Sequence, residues 1–144
     1  MPADLRVSNR SWEALLTAHA ALMRRFQAES IWHDHHLTMR EYDVLYTLSK
    51  CPNGEAGMRE VRENVLLSQP ALSRMVDRLV TRGLVGRRTD DNDGRAVRLS
   101  LTEQGAELQR TLGRAHARSV DREMRVLSRE ERLELERIAR KLAG

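Results

Sequence analysis

Between Gly83 and Gly105 the chain reads GLVGRRTDDNDGRAVRLSLTEQG. Two arms, LVGRRT and RAVRLSL, alternate apolar and polar residues, and the DDNDG that joins them is rich in residues that tolerate turn geometry. On either side of this β-hairpin the apolar residues recur at helical three- and four-residue steps. An isolated hairpin is marginal in water and must lean on its neighbours. The expected fold is therefore mainly α with a small β-hairpin wing, an α+β architecture. Composition agrees, because 3% aromatic residues are too few for a large all-β core, whereas the 40% hydrophobic content suits a helical protein.

At 144 residues the chain has the size of one domain. From Ser11 to about Trp32, a helical stripe runs through Trp12, Leu15, Leu16, His19, Leu22, Met23 and Phe26, with Ser11 as the expected N-cap. The segment WHDHH breaks that pattern. Thr38 and Glu41 have capping-box spacing and open a helix whose inner face is Met39, Tyr42, Leu45 and Leu48. CPNGEAG, Cys51 to Gly57, is a turn cluster by composition. A short helix follows from Met58 to about Val65, with Val61 facing inward. Ser68 then caps QPALSRMVDRLVTR, which has Pro70 in its first turn and stops at Gly83. Thr102 opens a long helix to about Val126, and a second capping box, Ser128 and Glu131, opens the last one. The middle section, residues 38–101, has the element order of a winged helix-turn-helix, with a reading helix at 68–82 and a wing at 84–101.

The helix at 68–82 has two distinct faces. Leu72, Met75, Val76, Leu79 and Val80 must pack inward. Gln69, Pro70, Ser73, Arg74, Asp77, Arg78 and Arg82 lie opposite. Short polar side chains near the N-terminus and arginines further along suit a helix laid in the major groove of DNA, and the backbone N–H groups at Ser68 can receive a phosphate. An ordinary amphipathic surface helix would carry the same stripe. The wing shifts the balance: seven arginines against four aspartates lie between Ser68 and Arg98, in a chain of net charge +4. Arg87 and Arg88 on the first arm can follow phosphates, and Arg95 at the tip can enter a minor groove. Asp77 and Asp93 are the acids expected to orient those guanidinium groups. The competing reading gives these charges the task of guarding a β-edge against aggregation.

The residues resemble the MarR (multiple antibiotic resistance regulator) family of bacterial transcription factors over nearly the whole chain. The likeness is densest in LTMREYDVLYTLS, in the long block from LLSQPALSRMVDRLVTRGLVGRR through DGRAV to LTEQG, and in the terminal helices. It implies a winged helix-turn-helix in a homodimer, with residues 11–33 and 102–143 as dimerisation helices. It further implies sequence-specific binding of double-stranded DNA at a pseudo-palindromic operator, and ligand-responsive repression. The family's wing-positioning ion pair would map to Asp77 and Arg95, while Pro70 departs from common members at the first-turn base contacts. Dimerisation is also expected from the apolar stripes Leu15, Leu22, Phe26; Leu112, Val120, Met124; and Leu133, Ile138, Leu142, which the central section is too small to cover.

A small aromatic anion as effector, again by resemblance, would be lined by Trp12, His19, Trp32, His33, Tyr42 and His116. Each also has a plain structural reading, with Trp12 and Tyr42 in the core and His19 and His116 at an interface. The run HDHH, His33 to His36, offers metal-ligand atoms or a pH response. Yet consecutive residues rarely aim at one ion, and a solvated loop is the preferred reading. The one cysteine, Cys51, rules out an internal disulfide, suits a reducing compartment and is expected to be inert. The N-terminus lacks the pattern of a signal peptide, and no apolar run could span a bilayer, so the expected location is the cytoplasm. No cofactor motif is present, and G-x-S-x-G, Gly-rich phosphate loops and HExxH are missing, so an enzyme is not expected. A winged-helix module that binds protein instead of DNA stays open as the rival.

Overall fold

The computed structural model describes residues 2–65, 67–89, 92, 94 and 96–144. Among these residues, seven α-helices and three short strands follow in the order α1 (Ala3–Gln27), α2 (Ser30–Asp34), α3 (Met39–Ser49), β1 (Glu55–Gly57), α4 (Met58–Val65), α5 (Gln69–Thr81), β2 (Val85–Thr89), β3 (Val97–Leu101), α6 (Glu103–Met124) and α7 (Arg129–Ala143). The chain divides into two compact units, Glu29–Ala115 and the pair of segments Met1–Ala28 and His116–Gly144.

In the unit Glu29–Ala115, both expected caps form. Thr38 Oγ1 accepts from the Glu41 N–H at 3.1 Å while Glu41 Oε1 accepts from the Thr38 N–H at 3.1 Å. Ser68 Oγ accepts from the Ala71 N–H at 3.3 Å, and Pro70 sits in the first turn of α5. Helix α5 ends in a Schellman motif: Gly83 has φ 73°, its N–H bonds the Val80 carbonyl, and the Leu84 N–H bonds that of Leu79. The core consists of Val44, Leu45 and Leu48 from α3, Val61 from α4, Leu72, Val76 and Leu79 from α5, and Leu84, Val85, Leu99 and Leu112. At roughly 1.5–3 kcal/mol for each large apolar side chain buried, this cluster is the main stabilising term for the unit.

The sheet is antiparallel in the order β1-β3-β2, with Val85 opposite Leu101 and Thr89 opposite Val97. Its third strand corrects the turn reading of residues 51–57. A 3₁₀ turn does occupy Pro52–Gly54, but Glu55–Gly57 then pairs along β3. Three residues are too few to show alternation, so only the partner strand makes them extended. The start of α6 presses against the chain before β2. A Cβ on Gly105 would lie 2.0 Å from the Leu84 carbonyl oxygen, which accounts for glycine at the end of LTEQG.

In the other unit, α1 begins at Ala3, not near Ser11. Ser11 does not cap it, because it lies inside the helix, where its Oγ donates to the Val7 carbonyl. The break also falls earlier than WHDHH, at Ala28 and Glu29, and residues 30–34 resume as α2. Ser128 and Glu131 form the expected box at the start of α7. Phe26 and His116 pack edge to face at 5.3 Å, and Arg25 pairs with Glu123 at 3.2 Å, joining α1 to α6. Large apolar side chains nonetheless stay exposed on α1 (Leu5, Trp12, Leu15, Leu16) and α7 (Leu133, Leu135, Ile138, Leu142).

Candidate nucleic-acid interface

Helix α5 turns Leu72, Met75, Val76 and Leu79 into the core, which leaves Ser68, Gln69, Pro70, Arg74, Asp77 and Arg78 exposed and Ser73 half-buried. Arg74 stands exposed with no described side chain paired to it. The other arginines around α5 are held. Arg78 Nε lies 3.8 Å from Oε2 of Glu41, a residue only 6% exposed whose carboxylate is already committed to the α3 cap. Arg62 of α4 donates to Gln69 Oε1 at 3.0 Å, fixing the first residue of α5.

The sheet register explains the wing. Arg87 lies opposite Leu99 on the face that carries Val85, and from there its Nη1 donates to Asp77 Oδ1 at 2.7 Å. Arg88 stands directly across from Arg98 on the other face, a like-charge pairing that by itself is unfavourable. Glu55 of β1 offsets it, with Oε1 3.4 Å from both Arg88 Nε and Arg88 Nη2. Exposed ion pairs such as these contribute only about 0–1 kcal/mol to stability. Their larger effect is to fix the direction of guanidinium groups. Asp77 thus bonds a wing arginine, Arg87. Arg95 and Asp93 lie outside the described residues. Arg62 and Glu55 were absent from the residues expected at this site: Arg62 reads as an ordinary polar position of a short helix, and Glu55 acquires its place only once β1 pairs.

The residues proposed for an effector fall into separate groups. Trp32 and Tyr42 are buried together, ring centroids 5.4 Å apart, and Tyr42 stacks on Tyr46 at 6.1 Å. Burial pushes the Tyr42 hydroxyl above its ordinary pKa, with the Gln109 hydrogen bond acting in the opposite direction. His33 is exposed at the end of α2. Trp12, by contrast, is 58% exposed on α1, which corrects its core reading; His19 is exposed on the same helix and His116 packs on Phe26.

Within HDHH, His35 Nδ1 bonds the Ile31 carbonyl at 2.8 Å, and His36 adopts φ 52°. Among the described residues no group of three or more His, Cys, Asp or Glu side chains could hold a metal ion. The Cys51 thiol donates to the Thr47 carbonyl at 3.3 Å. Burial, helped by Glu60 and opposed by Arg98, pushes its pKa up, the reverse of a thiol activated for redox chemistry. No helix among the described residues is long and apolar enough to cross a membrane.

A capped helix with an exposed polar and cationic face, flanked by an arginine-bearing β-wing, defines a winged-helix DNA-binding protein. The family model described as transcriptional regulator SarA/Rot matches residues 27–112. The chain is 30% identical over 129 residues to the HTH-type transcriptional regulator FarR of Neisseria gonorrhoeae, covering 90% of this chain and 86% of that one. It superposes on AbsC, a MarR family transcriptional regulator from Streptomyces coelicolor, with a TM-score of 0.80 at 26% identity, covering 94% and 90% of the two chains. NadR, solved in complex with 4-hydroxyphenylacetate, gives a TM-score of 0.74 at 29% identity over 91% and 90%. This chain belongs to the MarR family of winged-helix transcriptional regulators. Its family and fold are those of DNA-binding regulators, not of enzymes.

Proposed function

We propose that the protein works in the cytoplasm as a homodimeric, ligand-responsive repressor that reads a pseudo-palindromic operator in double-stranded DNA. The observation that carries this reading is the basic surface built by α5 and the wing, where Arg74 is exposed with no partner among the described residues and Arg87 is aimed by Asp77. Ser68, Gln69, Pro70 and Ser73 are assigned to the groove-facing start of the helix. Arg74, Arg78, Arg87, Arg88 and Arg95 are assigned to phosphates and base edges, with Asp77 and Asp93 orienting the wing. The apolar faces of α1 and α7 support a two-fold dimer, which would set the two reading helices about 34 Å apart, one turn of DNA.

The effector is proposed to be a small aromatic anion, a class to which the 4-hydroxyphenylacetate bound by NadR belongs. Trp12, His19, Trp32, His33, Tyr42 and His116 remain the residues proposed to line its pocket, with Trp32 and Tyr42 supported by their packing together. An allosteric coupling of about 1–3 kcal/mol would change operator affinity roughly 5–150-fold.

Charge reversal at Arg74, Arg78 and Arg95 tests the interface. The expected result is loss of duplex binding by a dimer that stays intact, and wild-type affinity that falls steeply with salt as counterions are released. Unchanged duplex binding would favour a protein-interaction module instead.

A further inference from the structure

Arg82 follows Arg74 and Arg78 at four-residue steps, so helical spacing assigns it to the same exposed, DNA-facing side of α5. Its guanidinium is engaged elsewhere. Nη1 donates to the His36 carbonyl and Nη2 donates to the His35 carbonyl at 3.0 Å. Those carbonyls belong to the C-cap of α2 and the residue after it, where α2 closes in a Schellman motif of its own. The His36 N–H bonds the His33 carbonyl at 3.1 Å, the Leu37 N–H bonds the Trp32 carbonyl at 2.9 Å, and His36 takes the left-handed conformation that Gly83 takes after α5. Two helix C-termini therefore lie within one arginine's reach of each other. Each end turns carbonyl oxygens of the same partial charge outward, and a cation with a planar fork of donors is the side chain suited to that place.

We propose that Arg82 is a positioning residue for DNA recognition: it pins the exit end of the reading helix to the turn at residues 35–36 and is thereby withheld from the phosphates. This rests on α5 being the recognition helix. Gln69 is tied to α4 by Arg62, Asp77 to the wing by Arg87, and the exit of the helix to α2 by Arg82. The third tie sets the tilt of α5. It also couples that tilt to the segment that carries Trp32 and His33.

The test compares wild type with Arg82→Gln, well below the unfolding midpoint of each. Carbonyl ¹³C resonances of the free proteins should shift at His35 and His36. Affinity for an operator selected from random duplexes should fall on the order of tenfold. Binding to random-sequence duplex and the slope of affinity against salt should stay the same. An equal loss on operator and random duplex, with a salt slope shallower by about one phosphate contact, would make Arg82 a DNA ligand and overturn the proposal. Unchanged operator affinity would overturn it as well. If wild type bound no duplex at all, the DNA-binding reading would fail, and the two carbonyl shifts alone would decide whether the clamp exists.

Discussion

The unit Glu29–Ala115 and the unit built from α1, α7 and the second half of α6 treat their apolar residues in opposite ways. The first buries Val44, Leu45, Leu48, Leu72, Leu79 and Leu99 completely, so its core closes within one chain. In the second, Phe26 is buried, but Trp12, Leu15, Leu16, Ile138 and Leu142 are exposed, Leu142 by as much as 70%. A chain that exposes apolar stripes on two helices presents a surface for another protein. The contrast teaches that the reading unit is finished by intrachain packing, whereas the apolar faces of the terminal helices are left open within the chain; a second copy is the partner proposed to cover them.

Breaking that partner surface should have the largest effect. Ile138→Asp with Leu142→Asp places two charges on one face of α7, and each should cost at least about 2 kcal/mol if the face is buried between protomers. The dimer dissociation constant should rise on the order of a thousandfold in sedimentation experiments. A double variant that stays dimeric would remove the contrast between the units. Next comes the self-contained core: Leu72→Ala should lose about 2–5 kcal/mol in denaturant unfolding, without a direct effect on the dimer contact. A loss of a few tenths would mean that this core is far less tightly packed than its burial indicates.

Asp77→Ala sharpens the comparison within the reading unit. Removing the acceptor for Arg87 should change unfolding free energy by less than about 1 kcal/mol. Operator affinity, measured by titration, should fall on the order of fivefold as the wing loses its tie to α5. The smallest effect is expected at Asp43, where burial raises the carboxyl pKa against the pull of Arg40. The folded state then holds the proton more tightly than the unfolded chain, so stability falls as pH rises from the unfolded value of about 4 through the raised folded one. Asp43→Asn should therefore gain a little stability at neutral pH, less than about 0.5 kcal/mol, and the gain should vanish in acid. A gain that grew on acidification would reverse the sign of the burial effect.

Much of the fold was legible because local chemistry decides it. Thr38 with Glu41, Ser68, Gly83, and Ser128 with Glu131 are caps whose spacing is read directly, and the hairpin arms alternate as strands must. The candidate site was legible as a face but not as a network. Ser11 has the chemistry of a cap and sits inside a helix, because nothing within eight residues upstream stops α1. Trp12 has the spacing of a core residue and lies exposed, since periodicity names a buried face without naming what buries it.

By itself the sequence determined the capped starts of α3, α5 and α7, the stop of α5 at Gly83, the hairpin and the concentration of arginine around α5, for these follow from residues within a few positions of one another. Tertiary structure alone decided that Glu55–Gly57 is a strand, that Arg87 leans on Asp77, and that Arg82 turns from the exposed face to the end of α2. The physical reason is distance along the chain. A guanidinium group on a long, flexible stem can reach acceptors that lie 10 or 46 residues away, and only the folded backbone decides which of them it meets.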